Sequence, residues 1–231
     1  MHVLDDPIRS ALASRHAFMA TISATAARYP TDVAPFGAMP MNPQPEDWGA
    51  LARLTPRDEP VAMFVPSDFV IPSGWTLLRN IALSQLTDDE VNVCEERGTD
   101  IVELNANDVE EMLELTALTQ PGPFLPRTVL FGGYVGIRHG RQLVAMAGRR
   151  LSLPGWVEVS AVCTHPDARA RGYAKRLLRE LVRDIQAGGD RAFLHVAHGN
   201  PAQRVYEALG FMVRRDDLKV IEVAPAPDAL H

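Results

Sequence analysis

From residue 100 onward the apolar positions change period in a readable order. "IVELN" (101–105) alternates as a short strand, and "ANDVEEMLELTALT" (106–119) cycles as an acidic amphipathic helix with Val109, Met112, Leu113 and Ala117 on one side. After the Pro-rich "QPGPFLPRT", two strand-like runs, "VLFGGYVGIR" and "RQLVAMAGRRLSL", flank the turn dipeptide His139-Gly140. "GWVEVSAVCT" is a further strand, followed by the helical repeat "GYAKRLLRELVRDIQAGG", which stops at a glycine pair. "AFLHVA", a helix over "PAQRVYEALG" and the strands "FMVRRD" and "LKVIEV" complete the chain. This order, βα, βββ, αβ, αβ, β, predicts a mixed α/β (α+β) architecture around one sheet.

The first hundred residues carry weaker signals. Residues 7–28 read as helical, with Ile8, Leu12, Phe18, Met19 and Ile22 on one face. "NPQPEDWGALARL" predicts a helix opened by proline, with acids in its first turn. "PVAMFVP" and "GWTLLRNIALSQL" predict strands. The acidic, polar stretch "TDDEVNVCEERGTD" suggests a division into an N-terminal α/β unit, 1–98, and a second domain, 99–231. The segments 61–78 and 144–159 echo each other, each with Val-Ala-Met, a proline-containing connection and a Gly-Trp strand start. The echo is either a coincidence of two β hairpins or the trace of a degenerate half-copy.

Composition narrows the function classes. The chain has 231 residues and a net charge of −6, of which residues 1–99 hold all: seven Arg, no Lys and 13 acids. Residues 100–231 are neutral, so there is no basic footprint for nucleic acid. No apolar run is long enough for a membrane span, and the start lacks the pattern of a secretory signal. The two cysteines, Cys94 and Cys163, have no disulfide or metal-ligand spacing and read as buried thiols of a cytoplasmic protein. His195 and His198 are three apart on a strand and point to opposite faces, so no metal site is expected.

Against that charge balance, "RARGYAKR" (169–176) gathers cations where a strand hands over to a helix. A helix start leaves N–H groups without partners, which makes it an anion site. Gly172 allows close backbone approach or a positive φ, and Arg169 and Arg171 add charge. There is no G-x-x-x-x-G-K-[ST], and no G-x-G-x-x-G after a strand, which argues against an ATPase or a dinucleotide enzyme.

"VEVSAVCTHPDARARGYAKRLL" resembles the central motif of the GNAT superfamily of N-acetyltransferases, to which the yeast histone acetyltransferase is related. "FLHVAHGNPAQRVYEALGF" resembles the second motif of that superfamily, and the resemblance spans about 100–225. It implies a mixed central sheet splayed between two strands, with acetyl-CoA as co-substrate. The diphosphate of coenzyme A would lie over the backbone of Arg169, Ala170, Arg171, Gly172, Tyr173 and Ala174. The pantetheine arm would lie along Val162, Cys163 and Thr164, with the N–H of Val162 on the thioester oxygen. Asn200 is a further cofactor-binding candidate, although it precedes Tyr206 by six positions where the family has seven.

The same resemblance implies direct transfer to a primary amine, on a small molecule or a peptide N-terminus, in one ternary complex. Glu158 is the implied base and Tyr206 the implied acid. If the strand alternates regularly, Glu158, Ser160, Val162 and Thr164 share a face; a bulge changes that parity. "TQPGPFLPRTVLFGG" is the expected acceptor wall. A longer acyl group, or a CoA-binding regulator without catalysis, fits the same motifs, and the N-terminal unit is available for a homodimer contact.

Overall fold

The computed structural model describes residues 2–56, 59–93, 98 and 100–226; Cys94 lies outside the described residues. Helix α1 (Pro7–Leu12) starts on Asp6, whose carboxylate accepts from the Arg9 N–H, with proline at its first position. It ends well before residue 28. Phe18 and Ile22, expected on a buried face, are 80% and 66% exposed, so no packing holds a longer helix together. The chain instead forms a 3-10 turn (Ala17–Met19) and a hairpin of β1 (Thr21–Ser23) and β2 (Ala26–Arg28), to which β3 (Gly37–Ala38) adds. Helix α2 (Pro45–Leu54) opens as its sequence predicts, with Pro45 first and Asp47 bonding back to the Gln44 N–H.

The remaining strands are β4 (Val61–Pro66), β5 (Trp75–Thr87), β6 (Ile101–Leu104), β7 (Tyr134–His139), β8 (Gln142–Leu153), β9 (Trp156–Thr164), β10 (Arg191–Ala197) and β11 (Met212–Pro225). They form one sheet in the order β4-β11-β5-β10-β9-β8-β7-β6. Only β9 and β10 run parallel among these pairs. The expected boundary at 98/99 therefore falls inside a sheet, because β5 pairs with both β10 and β11. The echo of 61–78 and 144–159 also parts here. β8 and β9 are neighbours, whereas β11 separates β4 from β5. The two runs expected as separate final strands are one bulged strand, β11.

Helix α3 (Val109–Thr119) buries Met112, Leu115 and Thr116, while Ala117 is exposed. Helix α4 (Tyr173–Ala187) buries Leu177, Leu178, Leu181, Val182 and Ile185, the stripe its 3.6-residue period predicts, against Val157, Val159, Leu194 and Val196. Each such side chain contributes about 2 kcal/mol of hydrophobic stabilisation. The opposite face carries α3 and the N-terminal layer, where Leu4, Ile8, Tyr29 and Phe36 pack with Leu151, Leu153 and Phe193. Helix α5 (Ala202–Glu207) is followed by a turn through Gly210, whose φ is +100°. A Cβ there would lie 2.2 Å from the Glu90 carbonyl oxygen, so the Leu-Gly-Phe turn requires glycine. Among the described residues no helix is long and apolar enough to cross a membrane.

Candidate functional site

Two departures from regular pairing open the middle of the sheet. β9 and β10 are in register only at Trp156–Arg191, Val157–Ala192 and Glu158–Phe193, and beyond that point they separate. On its other edge β9 pairs Ser160 with Gly148 and Cys163 with Met146, so one extra residue is accommodated between them. Ala161 takes φ +53° there, and neither Ala161 nor Val162 has a register partner on either side. The bulge reverses the parity of the strand. Val162 packs with the α4 core, whereas Ala161 and Cys163 pack with α3, so regular alternation of Glu158, Ser160, Val162 and Thr164 is not what the strand does.

Immediately after β9 the chain makes a 3-10 turn (Pro166–Ala168), and Ala170 and Gly172 both take positive φ, +60° and +76°. Gly172 is the N-cap of α4 and offers no side-chain partner to the helix start. Among the described residues the N–H groups from Ala170 to Lys175 meet no backbone acceptor, while the Arg169 N–H is taken by the Pro166 carbonyl. A Cβ on Gly172 would meet nothing within 4 Å, so the space beside the N-cap itself is open. Partial positive charge, free donors and open approach are what a phosphate requires. Arg176 is turned away, paired with Asp100.

A cavity of about 410 Å³ occupies the opened region. Val162, Cys163, Thr164, Arg169, Asn200 and Tyr206 all reach its wall. Thr119 to Pro123, from the stretch expected as the acceptor wall, also line it. Asn200 commits its side-chain oxygen to the Ala202 N–H at the start of α5 (2.9 Å). The Tyr206 hydroxyl has no hydrogen-bond partner among the described residues, and burial pushes it up to about 12, so it carries its proton at neutral pH. Burial likewise pushes the Cys163 thiol up to about 11, which keeps it from acting as a thiolate.

Glu158 is not on the cavity wall. Its carboxylate is fully buried, and both oxygens are taken by Arg150, at 2.8 Å from Nε and 2.6 Å from Nη2. Burial pushes the carboxyl up, but the Arg150 charge and hydrogen bonds, joined by His195, outweigh it and hold it at about 2. Glu158, the implied base, lies behind Arg150 and His195, which do line the cavity.

These groups belong to a row crossing five neighbouring strands. Arg150 (β8), Glu158 (β9), His195 (β10), Gln85 (β5) and Arg214 (β11) are linked in turn, and Arg214 ends on Asp5 at 2.6 Å. The Gln85 amide is oriented at both ends, donating to the Leu4 carbonyl (2.9 Å) and accepting from Arg214 (2.7 Å). Its second N–H faces His195 Nε2 at 3.1 Å, which assigns the ring proton to Nδ1, donated to Glu158 at 2.7 Å. Arg150 lies over the Phe36 and Phe64 rings, and Phe64 stacks on His195. Sequence reasoning missed Arg150, Gln85, Phe36 and Phe64, because strand pairing over long separations brings them together and no local motif marks them.

The splayed parallel pair, the bulge and the phosphate-ready helix start define an acyltransferase fold. The family model described as FR47-like protein matches residues 134–220. A GNAT-family protein of known structure from Novosphingobium aromaticivorans is 31% identical, with 98% of this chain and 100% of that one covered and a TM-score of 0.89. The chain belongs to the GNAT family of acetyltransferases. A GCN5-related N-acetyltransferase from Kribbella flavida shares the fold at 19% identity, covering 98% and 94% of the two chains, with a TM-score of 0.56. A GNAT-family acetyltransferase from Colwellia psychrerythraea does so at 12% identity, covering 87% and 80%, with a TM-score of 0.52. No curated protein matches the sequence. Among the described residues no group of three or more His, Cys, Asp or Glu is placed to hold a metal ion.

Proposed function

We propose that the protein transfers an acetyl group from acetyl-CoA to a primary amine, with both substrates bound together. The observation that carries this reading is the cavity along the unpaired stretch Ala161–Val162, whose wall reaches Arg169, the residue that directly precedes the free N–H donors at the start of α4. The donors suit a diphosphate, and the open edge of β9 suits an amide-bearing arm added as a further strand.

Ala170 to Ala174 would hold the diphosphate through their N–H groups, with the Arg169 and Arg171 side chains as added charge. Val162, Cys163 and Thr164 would flank the arm. Bound acetyl-CoA supplies an activated thioester carbonyl. The Val162 N–H would donate to a developing negative oxygen, a contribution of several kcal/mol when such a donor is fixed in advance. Tyr206 has a hydroxyl proton to give to a departing thiolate and can recover one from the nitrogen. Arg150, Glu158 and His195 form the rigid floor, with Glu158 holding the other two in place.

Initial rates of thiol release, with acetyl-CoA and a primary amine varied together, test the reading. Direct transfer gives lines that intersect in a double-reciprocal plot. Parallel lines would signal an acyl-enzyme and overturn the ternary mechanism.

A further inference from the structure

Arg150 is a buried guanidinium with one nitrogen to spare. Its side chain is 11% exposed, and Nε and Nη2 are both spent on Glu158. The Phe36 and Phe64 rings pack against it, 5.0 and 5.7 Å from ring centre to guanidinium carbon, and hold its orientation. Nη1 makes no hydrogen bond among the described residues. It is not sealed in the protein, as the unpartnered Nε atoms of Arg28 and Arg149 are, so it opens on the cavity that Arg150 lines.

The charges around Nη1 decide what it can take. Glu158 is ionised and offsets Arg150, and His195 carries one ring proton and is neutral. A carboxylate at Nη1 would leave this buried cluster negative, at a heavy desolvation cost. An ammonium finds no acceptor on a guanidinium. A neutral carbonyl accepts from Nη1 and leaves the cluster neutral. The other ion pair on the cavity wall, Arg79 with Glu222 at 3.3 Å, lies beyond the apolar rung of Phe64, Val220 and Ile81.

Arg150 also stands beside the strand that opens. Arg149 pairs with Val159 and Gly148 with Ser160, and Ser160, Ala161 and Val162 line the same cavity. The three residues from Val159 to Val162 span ~10 Å at the usual strand rise. A hydrogen bond at one end and the approach of nitrogen to a thioester carbon at the other take ~3 Å each. That leaves ~4 Å between the nitrogen and the carbonyl oxygen of an acceptor lying along β9.

We propose that Arg150 is the acceptor-specificity residue: Nη1 donates to an amide carbonyl of the acceptor, a primary amine with that carbonyl at its second or third carbon. A peptide N-terminus and a short amino amide have this form. The inference rests on the acetyl-transfer reading above.

The test uses the full chain as wild type and as Arg150→Met/Glu158→Gln, which lacks the donor and strands no buried charge. Thiol release from acetyl-CoA is measured with glycinamide and β-alaninamide and with n-propylamine and n-butylamine, and the melting shift given by coenzyme A is read on each protein. The amines differ in pKa, but that difference is common to both proteins and cancels when their preferences are compared. The preference in kcat/KM for amide over alkylamine is expected to fall about 10-fold or more in the variant, with the coenzyme shift kept. If the double variant does not fold, Arg150→Lys, whose single ammonium is spent on Glu158, gives the same reading. An unchanged preference would overturn the assignment. So would a wild-type protein that binds coenzyme A but acetylates neither amide. Absence of the coenzyme shift in the wild type would instead count against the acetyl-transfer reading itself.

Discussion

Replacing Arg150 with methionine removes the charge that makes a buried carboxylate tolerable. Glu158 has no water contact, and both its oxygens face the Arg150 guanidinium. Breaking such a pair from one side costs about 3–5 kcal/mol, because the remaining charge is stranded. For a chain of this size each kcal/mol shifts the melting temperature by about 2–4 °C, so the variant should melt about 6–20 °C lower at pH 7. The double variant Arg150→Met/Glu158→Gln removes both charges and keeps an acceptor for the His195 Nδ1–H, so most of the loss should return.

The pH dependence has a definite sign. In the wild type the Glu158 carboxyl is held down at about 2, so its stabilisation is complete above its ordinary value of 4.5 and is lost as pH falls toward 2. Without Arg150, burial dominates and the carboxyl moves up, so the penalty shrinks as acid neutralises it. Melting curves of the three proteins between pH 7 and pH 4.5 should therefore converge downward. A single variant that costs less than about 1 kcal/mol, or a double variant no more stable than the single, would refute the reasoning.

Other outcomes follow from single residues. Gly172→Val should cost about 1–2 kcal/mol of stability for its positive φ and weaken coenzyme A binding at least about 10-fold by calorimetry. Gly140→Ala, strained in the same way in the β7–β8 turn, should lose stability alone. Tyr206→Phe should lower kcat about 100-fold with coenzyme affinity unchanged, read by single-turnover kinetics and calorimetry. Burial holds the His16 imidazole down to about 4, from an ordinary 6.5. Its contribution is therefore complete above pH 6.5 and lost as pH falls toward 4, about 3 kcal/mol in all. Urea titrations at pH 7 and pH 5 should show about 2 kcal/mol of that loss in the wild type and much less of it in His16→Gln.

Much of the C-terminal part was legible because its periods are local. The α4 stripe, the glycine pair that stops it and the Gly172 junction each lie within a few turns of chain. The N-terminal part was not legible in the same way. Phe18 and Ile22 look like one helical face but bury nothing, and β4 and β5 find their partners more than a hundred residues away. The site divides along the same line. Arg169, Gly172 and Tyr206 sit in motifs, whereas Arg150, Gln85 and Glu222 reach the cavity or its floor only through the order of the strands. Glu158 had a motif position, but its burial depends on Arg150, which nothing in the local sequence announces.

The central claim is that the start of α4 and the opened edge of β9 form one coenzyme A site. A thermal melt with acetyl-CoA, dephospho-CoA, ATP and NAD at matched concentrations tests it most directly. A ligand at 100 times its dissociation constant adds about 2.7 kcal/mol, roughly 5–11 °C for a chain of this size. The account predicts a shift of that size with acetyl-CoA and little or none with ATP or NAD. Equal shifts with ATP or NAD, or none with acetyl-CoA, would contradict it.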